Sequence, residues 1–368
     1  MGHVLASKIN CLLSQGETPM LLIPVLLSLL ASSPPGESGV LTERVFGPEI
    51  PGRYKHPAAV TELANGDLYL VYYGGSGEYQ ADSAVYGSRL PAGEKTWSTP
   101  TIITPRPKLP EGNAVVWQAP DALVWLFNVV RSGTTWSTSR IVYRISRDGA
   151  RTWEAPEPLT TEDGTMVRCR PIVLPGGDYL LPIYHETGND PEMVGPDTCS
   201  LFLRYDPKAK RWSQSNRIHS RIGNLQPAVA AVGGNLLVAY CRRGGDYQPR
   251  KDGYLVRSES HDNGRTWSPG VDTAFPNPHS AVDFLRLQNG HLMLVFNDSM
   301  SQRTPLTVAI SSDGDKTYPH RRNIAEGPHD LAYPYALQTR DGKIHVIYTS
   351  DKRTVINHAV FDESAILK

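Results

Sequence analysis

The sequence predicts an all-β chain folded as a six-bladed β-propeller. Three observations point there: a turn motif that recurs, a second register of turn glycines at the same spacing, and short alternating apolar runs with no long helical pattern. The motif is complete at Ser260-His-Asp262-Asn-Gly264-Arg-Thr266-Trp267, of the form S-x-D-x-G-x-T-W. Ser146 to Trp153 repeats it with Ala150 for the glycine, and Ser311 to Tyr318 repeats it with Asp315 at that position and tyrosine for tryptophan. Weaker echoes end at Trp97 and Trp212, so the aromatic ends fall at 97, 153, 212, 267 and 318.

The glycine register runs through Gly66, Gly177, Gly234, Gly290 and Gly342, each followed by alternating apolar residues. Asn-Gly, Gly-Gly and Asp-Gly pairs suit tight hairpins, because those turns need positive φ. The first step is about twice the others, and the Pro120-Asp121 turn before Ala122 to Phe127 fills the gap. Runs such as Leu68–Tyr73, Leu236–Tyr240 and Leu292–Phe296 supply three to four strands per unit. Each unit of roughly 50–60 residues is then one propeller blade; a parallel β-helix repeats over about half that length. The propeller is placed at residues 45–365.

Residues 1–36 read differently. Met20 to Ala31 is apolar apart from Ser28 and is followed by Ser32, Ser33, Pro34, Pro35 and Gly36. At about 12 residues it is short of the ~20 that span a membrane and has the length of a signal-peptide core, so a secreted or periplasmic protein with no stable membrane span is expected. Lys+Arg and Asp+Glu both total 37. A neutral chain without a basic stripe excludes nucleic acid as the expected partner. The four cysteines fit neither a disulfide framework nor a zinc site and read as packing residues, with a Cys169–Cys199 bridge as a remote option. No cofactor or metal is expected, and the chain is read as a monomer.

In a propeller the first strand of each blade lies nearest the axis, so polar residues at the strand entrances converge. Each unit offers one: His56, Asn113, Arg170, Gln226, Asn277 with His279 and Ser280, and Tyr333. Five of the six entrances carry proline directly after a polar residue, which fixes the chain's approach and removes an unpaired amide. Further reactive groups follow the second strands: Glu78 and Asp82 in unit one, His185 and Glu186 in unit three, Arg242, Arg243 and Asp246 in unit four, Asn297 and Asp298 in unit five.

The S-x-D-x-G-x-T-W strings resemble the Asp boxes, or BNR repeats, of the sialidase superfamily. That resemblance implies structural roles for Asp148, Asp262 and Asp313, whose carboxylates would satisfy turn amides while the aromatic packs between strands. It also implies an acid/base aspartate at Asp82, 26 residues after His56, a nucleophilic tyrosine at Tyr333, and a carboxylate-binding arginine at Arg242. Three positions depart from the sialidase pattern: His56-Pro57 replaces an Arg-Ile-Pro, Gln226 replaces the glutamate that activates the tyrosine, and Asn277-Pro-His279-Ser280 stands where another arginine belongs. In this the chain is closer to the BNR-2, predicted-neuraminidase relatives.

The expected activity is an exo-acting glycoside hydrolase of sialidase-like type on a glycan, removing a terminal acidic sugar. Asp82 would be acid/base and Tyr333 the nucleophile or charge stabiliser, with His56, His185 and Glu186 as further candidates. Glu78, Arg170, Gln226, Arg242, Arg243, Asn277 and His279 would hold the sugar. Two alternatives use the same residues: a polysaccharide lyase with His56 or His185 as base, and a non-catalytic sugar-binding propeller, favoured by Gln226. Because neutral Gln226 cannot take a proton, poor sialidase activity is expected.

Overall fold

The computed structural model describes residues 39–368 except 79, 105–107, 189–193, 247 and 329, so the apolar segment 20–31 and Cys11 lie outside the described residues. Six antiparallel sheets follow one another along the chain. Blade one comprises Tyr54–Glu62, Leu68–Gly75, Ala84–Leu90 and Thr101–Ile102, and blade two Glu111–Gln118, Val124–Arg131, Ser139–Ser146 and Glu157–Pro158. Blade three has an inner strand broken into Thr165–Val167 and Ile172–Val173, followed by Tyr179–His185, Cys199–Asp206 and Arg211–Gln214. Blade four is Asn224–Gly233, Leu236–Arg243, Tyr254–Ser260 and Val271–Pro276, and blade five is Asp283–Arg286, Leu292–Asn297, Leu306–Ser311 and His320–Ala325. Blade six takes Ala332–Gln338, Ile344–Ser350 and Val355–Phe361 from the end of the chain and Val40–Phe46 from its beginning. That shared sheet closes the ring, with the first of the described strands covering the edge of the last.

All five repeated aromatics occupy one place, the seam with the preceding blade. Trp97 meets His358 of blade six at 5.9 Å between ring centroids, Trp153 meets Tyr69 at 6.2 Å, and Trp212 meets Trp125 at 6.2 Å. Trp267 stacks on Phe202 at 4.0 Å, and Tyr318 meets Phe275 at 5.2 Å. The Asp boxes hold the turns that deliver these wedges. Asp262 Oδ1 accepts from the Arg265 and Thr266 amides at 3.0 and 2.9 Å, and its Oδ2 accepts from Thr266 Oγ1 at 2.6 Å. Asp148 and Asp313 repeat that pattern. The Thr152 and Thr317 hydroxyls and amides, with Ser146 and Ser311, hold these two carboxylates well below the usual aspartate range. They are turn anchors.

The glycine of the box has a physical reason. Gly264 has φ 80°, and a Cβ there would come within 2.7 Å of Leu180 in blade three. Asp315 takes the same position at φ 71° and uses its carboxylate to accept from Tyr240 Oη at 2.8 Å and Arg257 Nε at 2.9 Å, tying blade five to blade four. Ala150, at φ 60°, has no such compensation. Ala150→Gly is expected to raise the denaturant midpoint by up to about 1 kcal/mol of stability at constant m, since it relieves a left-handed alanine. A lower midpoint would contradict this reading of the turn.

The three described cysteines, Cys169, Cys199 and Cys241, are buried free thiols, which removes the Cys169–Cys199 bridge.

Candidate active site

The blade entrances are built alike. In blades one, two, four and six the pairing of first and second strands slips between Lys55 and Ala58, Gly112 and Val115, Leu225 and Ala228, and Ala332 and Tyr335. Each slip contains the predicted polar residue, and in three of them the next residue is proline (Pro57, Pro227, Pro334), which has no amide to leave unpaired. The bulge turns the side chain toward the axis. Asn113, Gln226, His279 and Tyr333 all sit at positive φ, 27°, 55°, 59° and 56°, although none is glycine. Strain of this kind costs of order 1–3 kcal/mol per residue and collects where function over-determines the backbone.

These entrances meet in a small cavity of about 30 Å³. His56, Asn113, Gln226 and Tyr333 line it together with Glu78, Glu186 and Arg242. Tyr333 is its centre. Arg242 Nη1 donates to Tyr333 Oη at 2.7 Å and to Gln226 Oε1 at 3.2 Å, while Gln226 Nε2 approaches Tyr333 Oη and Tyr184 Oη, both at 3.4 Å. Asn113 Nδ2 donates to Tyr184 Oη at 3.0 Å. The His56 ring stands edge-on to Tyr333 with centroids 3.9 Å apart.

Two arginines join Arg242 from loops that carry no repeated motif. Arg303, in the loop before the third strand of blade five, lies 5.6 Å from the Tyr333 ring centroid and donates to the His279 carbonyl at 3.1 Å. Arg353, in the corresponding loop of blade six, bonds Glu78, which also accepts from Tyr54 Oη at 2.8 Å. Asp330 lies between them, 3.8 Å from Arg303 and 3.9 Å from Arg353. Arg168 adds a fourth guanidinium 5.8 Å from the same ring.

The titratable groups register the resulting field. Burial would raise the Tyr333 phenol, but the charges of Arg242, Arg303 and Arg353 outweigh it and hold the group below its ordinary value. His56 is pushed well down by burial and then by Arg353, Arg303, Arg168 and Arg242. Arg303 itself is lowered, by burial and then by Arg353 and Arg242. Glu186 moves the other way: burial lifts it to about 7 against the pull of Arg242. The cavity is therefore electropositive, with an acidified phenol and one carboxyl poised near neutrality.

The remaining predicted residues lie elsewhere. Asp82 is exposed, and its carboxylate accepts from the Ser76 amide at 3.0 Å and the Ser76 hydroxyl at 2.9 Å, outside the cavity lining. Because neighbours on a strand face opposite ways, Tyr184 and Glu186 face the cavity while His185 turns to Arg217 and Glu162, each at 3.3 Å. Arg243 donates to four backbone carbonyls, those of Gly244, Asp246, Gln248 and Asn277. Asn277 spends its amide on Ser280 at 2.9 Å, and His279 Nδ1 lies 2.9 Å from the Arg243 carbonyl. Arg170 pairs with Asp283 at 2.5 Å at the far end of the channel, because the inner strand of blade three breaks before it. There it borders a wider cavity of about 530 Å³ walled by Val60, Val116, Val229, Leu285 and Leu337. The larger space mixes these apolar walls with Glu62, Gln118, Arg286, Gln288 and Gln338, and holds none of the reactive cluster.

The BNR repeat-like domain family matches residues 66–346, which takes in most of the ring and every cavity residue except His56. The chain belongs to that family. No curated protein matches it at a significant level. Among solved structures, this BNR repeat-like chain is similar to a Hadza microbial sialidase at TM-score 0.71 and 17% identity, with 85% of this chain and 66% of that one covered, just short of two thirds of its length. The intramolecular trans-sialidase of Ruminococcus gnavus superposes at 0.69 with 12% identity, covering 88% and 97%. The α-L-arabinanase of Penicillium chrysogenum superposes at 0.63 with 14% identity, covering 89% and 99%. At these identities the likeness is one of fold, shared by glycoside hydrolases of different substrates.

Proposed function

We propose that this BNR repeat-like propeller is an exo-acting glycoside hydrolase that removes a terminal acidic sugar, with Tyr333 as nucleophile and Glu186 as acid/base. The observation that carries the reading is the buried Tyr333 phenol in charge-assisted contact with Arg242, under the field of Arg303 and Arg353. The guanidiniums serve twice. They favour the phenolate, and they hold a carboxylate on the sugar. Tyr333 Oη attacks the anomeric carbon as the bond to the leaving oxygen breaks, and that oxygen takes the proton of Glu186. The Glu186 carboxylate then draws a proton from the water that releases the sugar. The geometry favours Glu186 over Asp82 in this role, since Asp82 is engaged with Ser76. The segment 20–31 would serve as the export signal that brings the protein to a glycan outside the cytoplasm.

A cavity of about 30 Å³ has room for about one water. Trp136 and Val194 also line it, so on this reading their side chains shift to admit a sugar ring. The test is a panel of fluorogenic glycosides, uronides and sialosides beside neutral rhamnosides and fucosides. Turnover of an acidic glycoside with release of a reducing sugar is expected. Turnover confined to neutral sugars would remove the acidic-sugar assignment, and an unsaturated, ultraviolet-absorbing product would replace hydrolysis by elimination.

A further inference from the structure

A short hydrogen-bond relay through Thr349 sets which ring nitrogen of the cavity-lining His56 is left bare. The Thr349 hydroxyl donates to the Ala332 carbonyl at 3.2 Å. Its proton is then committed, so toward His56 Nδ1, 3.1 Å away, Thr349 Oγ1 acts as acceptor. Nδ1 therefore carries the imidazole proton, and Nε2 is a bare lone pair. Nε2 is fully buried, makes no hydrogen bond among the described residues, and belongs to a cavity-lining residue that is 2% exposed. A buried polar atom without a partner is destabilising, and it belongs in a native site when a ligand supplies the partner. Burial, and then the charges of Arg353, Arg303, Arg168 and Arg242, keep the ring neutral, so the acceptor persists.

We propose that His56 is a specificity-determining residue that reads a sugar hydroxyl, and that the acidic sugar is accordingly a hexuronate rather than a deoxy-nonulosonate of the sialic acid type. An oxyanion placed against Nε2 would meet a lone pair and be repelled, whereas a hydroxyl donates to it. The carboxylate must then lie toward Arg242, Arg303 and Arg353 with a hydroxyl beside it toward blade one. A hexuronate has a carboxylate and a hydroxyl on neighbouring ring carbons. In sialic acid the ring carbon next to the carboxylate-bearing one is a methylene and offers no donor.

This inference rests on the hydrolase reading, and the experiment separates the two. Methylumbelliferyl glucuronide, galacturonide and sialoside are compared on the wild-type protein and on His56→Arg, His56→Gln and Thr349→Val. Wild-type kcat/KM is expected to favour a uronide over the sialoside by at least about tenfold. His56→Arg should shift that ratio toward the sialoside by about tenfold or more. Thr349→Val, which frees the imidazole to carry its proton on Nε2, should raise KM for the uronide more than it lowers kcat. In parallel, nitrogen-15 NMR of histidine-labelled wild-type protein should report a protonated Nδ1 and a bare Nε2 at neutral pH. A sialoside preference in the wild type, an unchanged ratio in His56→Arg and His56→Gln, or the opposite tautomer overturns the proposal. If no glycoside is turned over, calorimetry with free glucuronate, galacturonate and N-acetylneuraminate decides. Uronate binding that His56→Gln weakens keeps the assignment of His56 while the hydrolase reading fails, and absence of uronate binding overturns both.

Discussion

Tyr333→Phe is expected to lower kcat/KM on any glycoside the protein hydrolyses by at least about a thousandfold, with little change in thermal stability. The substitution removes one oxygen and keeps the ring that His56 and the guanidiniums of Arg168, Arg242 and Arg303 pack against. Arg242 retains Gln226 Oε1 as an acceptor, so the cluster is not left to collapse. A loss in KM alone, with kcat preserved, would mean that the phenol binds the sugar without attacking it. Steady-state kinetics on the best glycoside of the panel separates the two outcomes.

The second large effect concerns pH. Glu186 must hold its proton to protonate a leaving oxygen, and its carboxyl titrates at about 7 because it is buried. Activity should therefore fall about tenfold per unit above that point. Glu186→Gln should abolish that limb and cost roughly 10²–10⁴ in kcat on natural glycosides, but far less on aryl glycosides whose leaving group needs no proton. Stability should move as well. The folded protein binds this proton more tightly than an ordinary glutamate does at 4.5, so the contribution is complete below about 4.5 and is lost as pH rises through about 7. Glu186→Gln should then melt higher than the wild type above neutral pH and lose that advantage below about 4.5. A pH profile unmoved by the substitution would return the acid role to Asp82.

The parts of this molecule that are legible in its sequence are those set by local chemistry. An Asp box sets its serine, aspartate and threonine within one turn, so three seams can be counted from the boxes and two more from the echoes that end at Trp97 and Trp212. The entrance residues are legible because a bulge leaves an amide without a partner and proline follows, as at His56-Pro57, Gln226-Pro227 and Tyr333-Pro334. Arg170-Pro171 misleads for the same reason: it has the signature, but the blade-three strand breaks ahead of it and carries it to the other mouth. Arg303 and Arg353 are not legible, because they come from inter-strand loops whose positions only the closed ring defines. They also correct the expectation that Gln226 leaves the phenol without activation. Gln226 takes no proton, yet cations from blades four, five and six favour the phenolate. Asp82 has the right spacing from His56, but spacing along the chain does not say that Ser76 holds its carboxylate.

The most direct test of the account is to trap the sugar on the enzyme. Incubation with a fluorinated uronosyl fluoride, which forms the glycosyl-enzyme quickly and hydrolyses it slowly, followed by proteolysis and mass spectrometry, should place one sugar on the peptide bearing Tyr333 and none on the Tyr333→Phe protein. A sugar attached to Glu186, Glu78 or Asp82, or turnover of the same reagent with no adduct on Tyr333, would contradict the arginine-activated phenol at the centre of the ring.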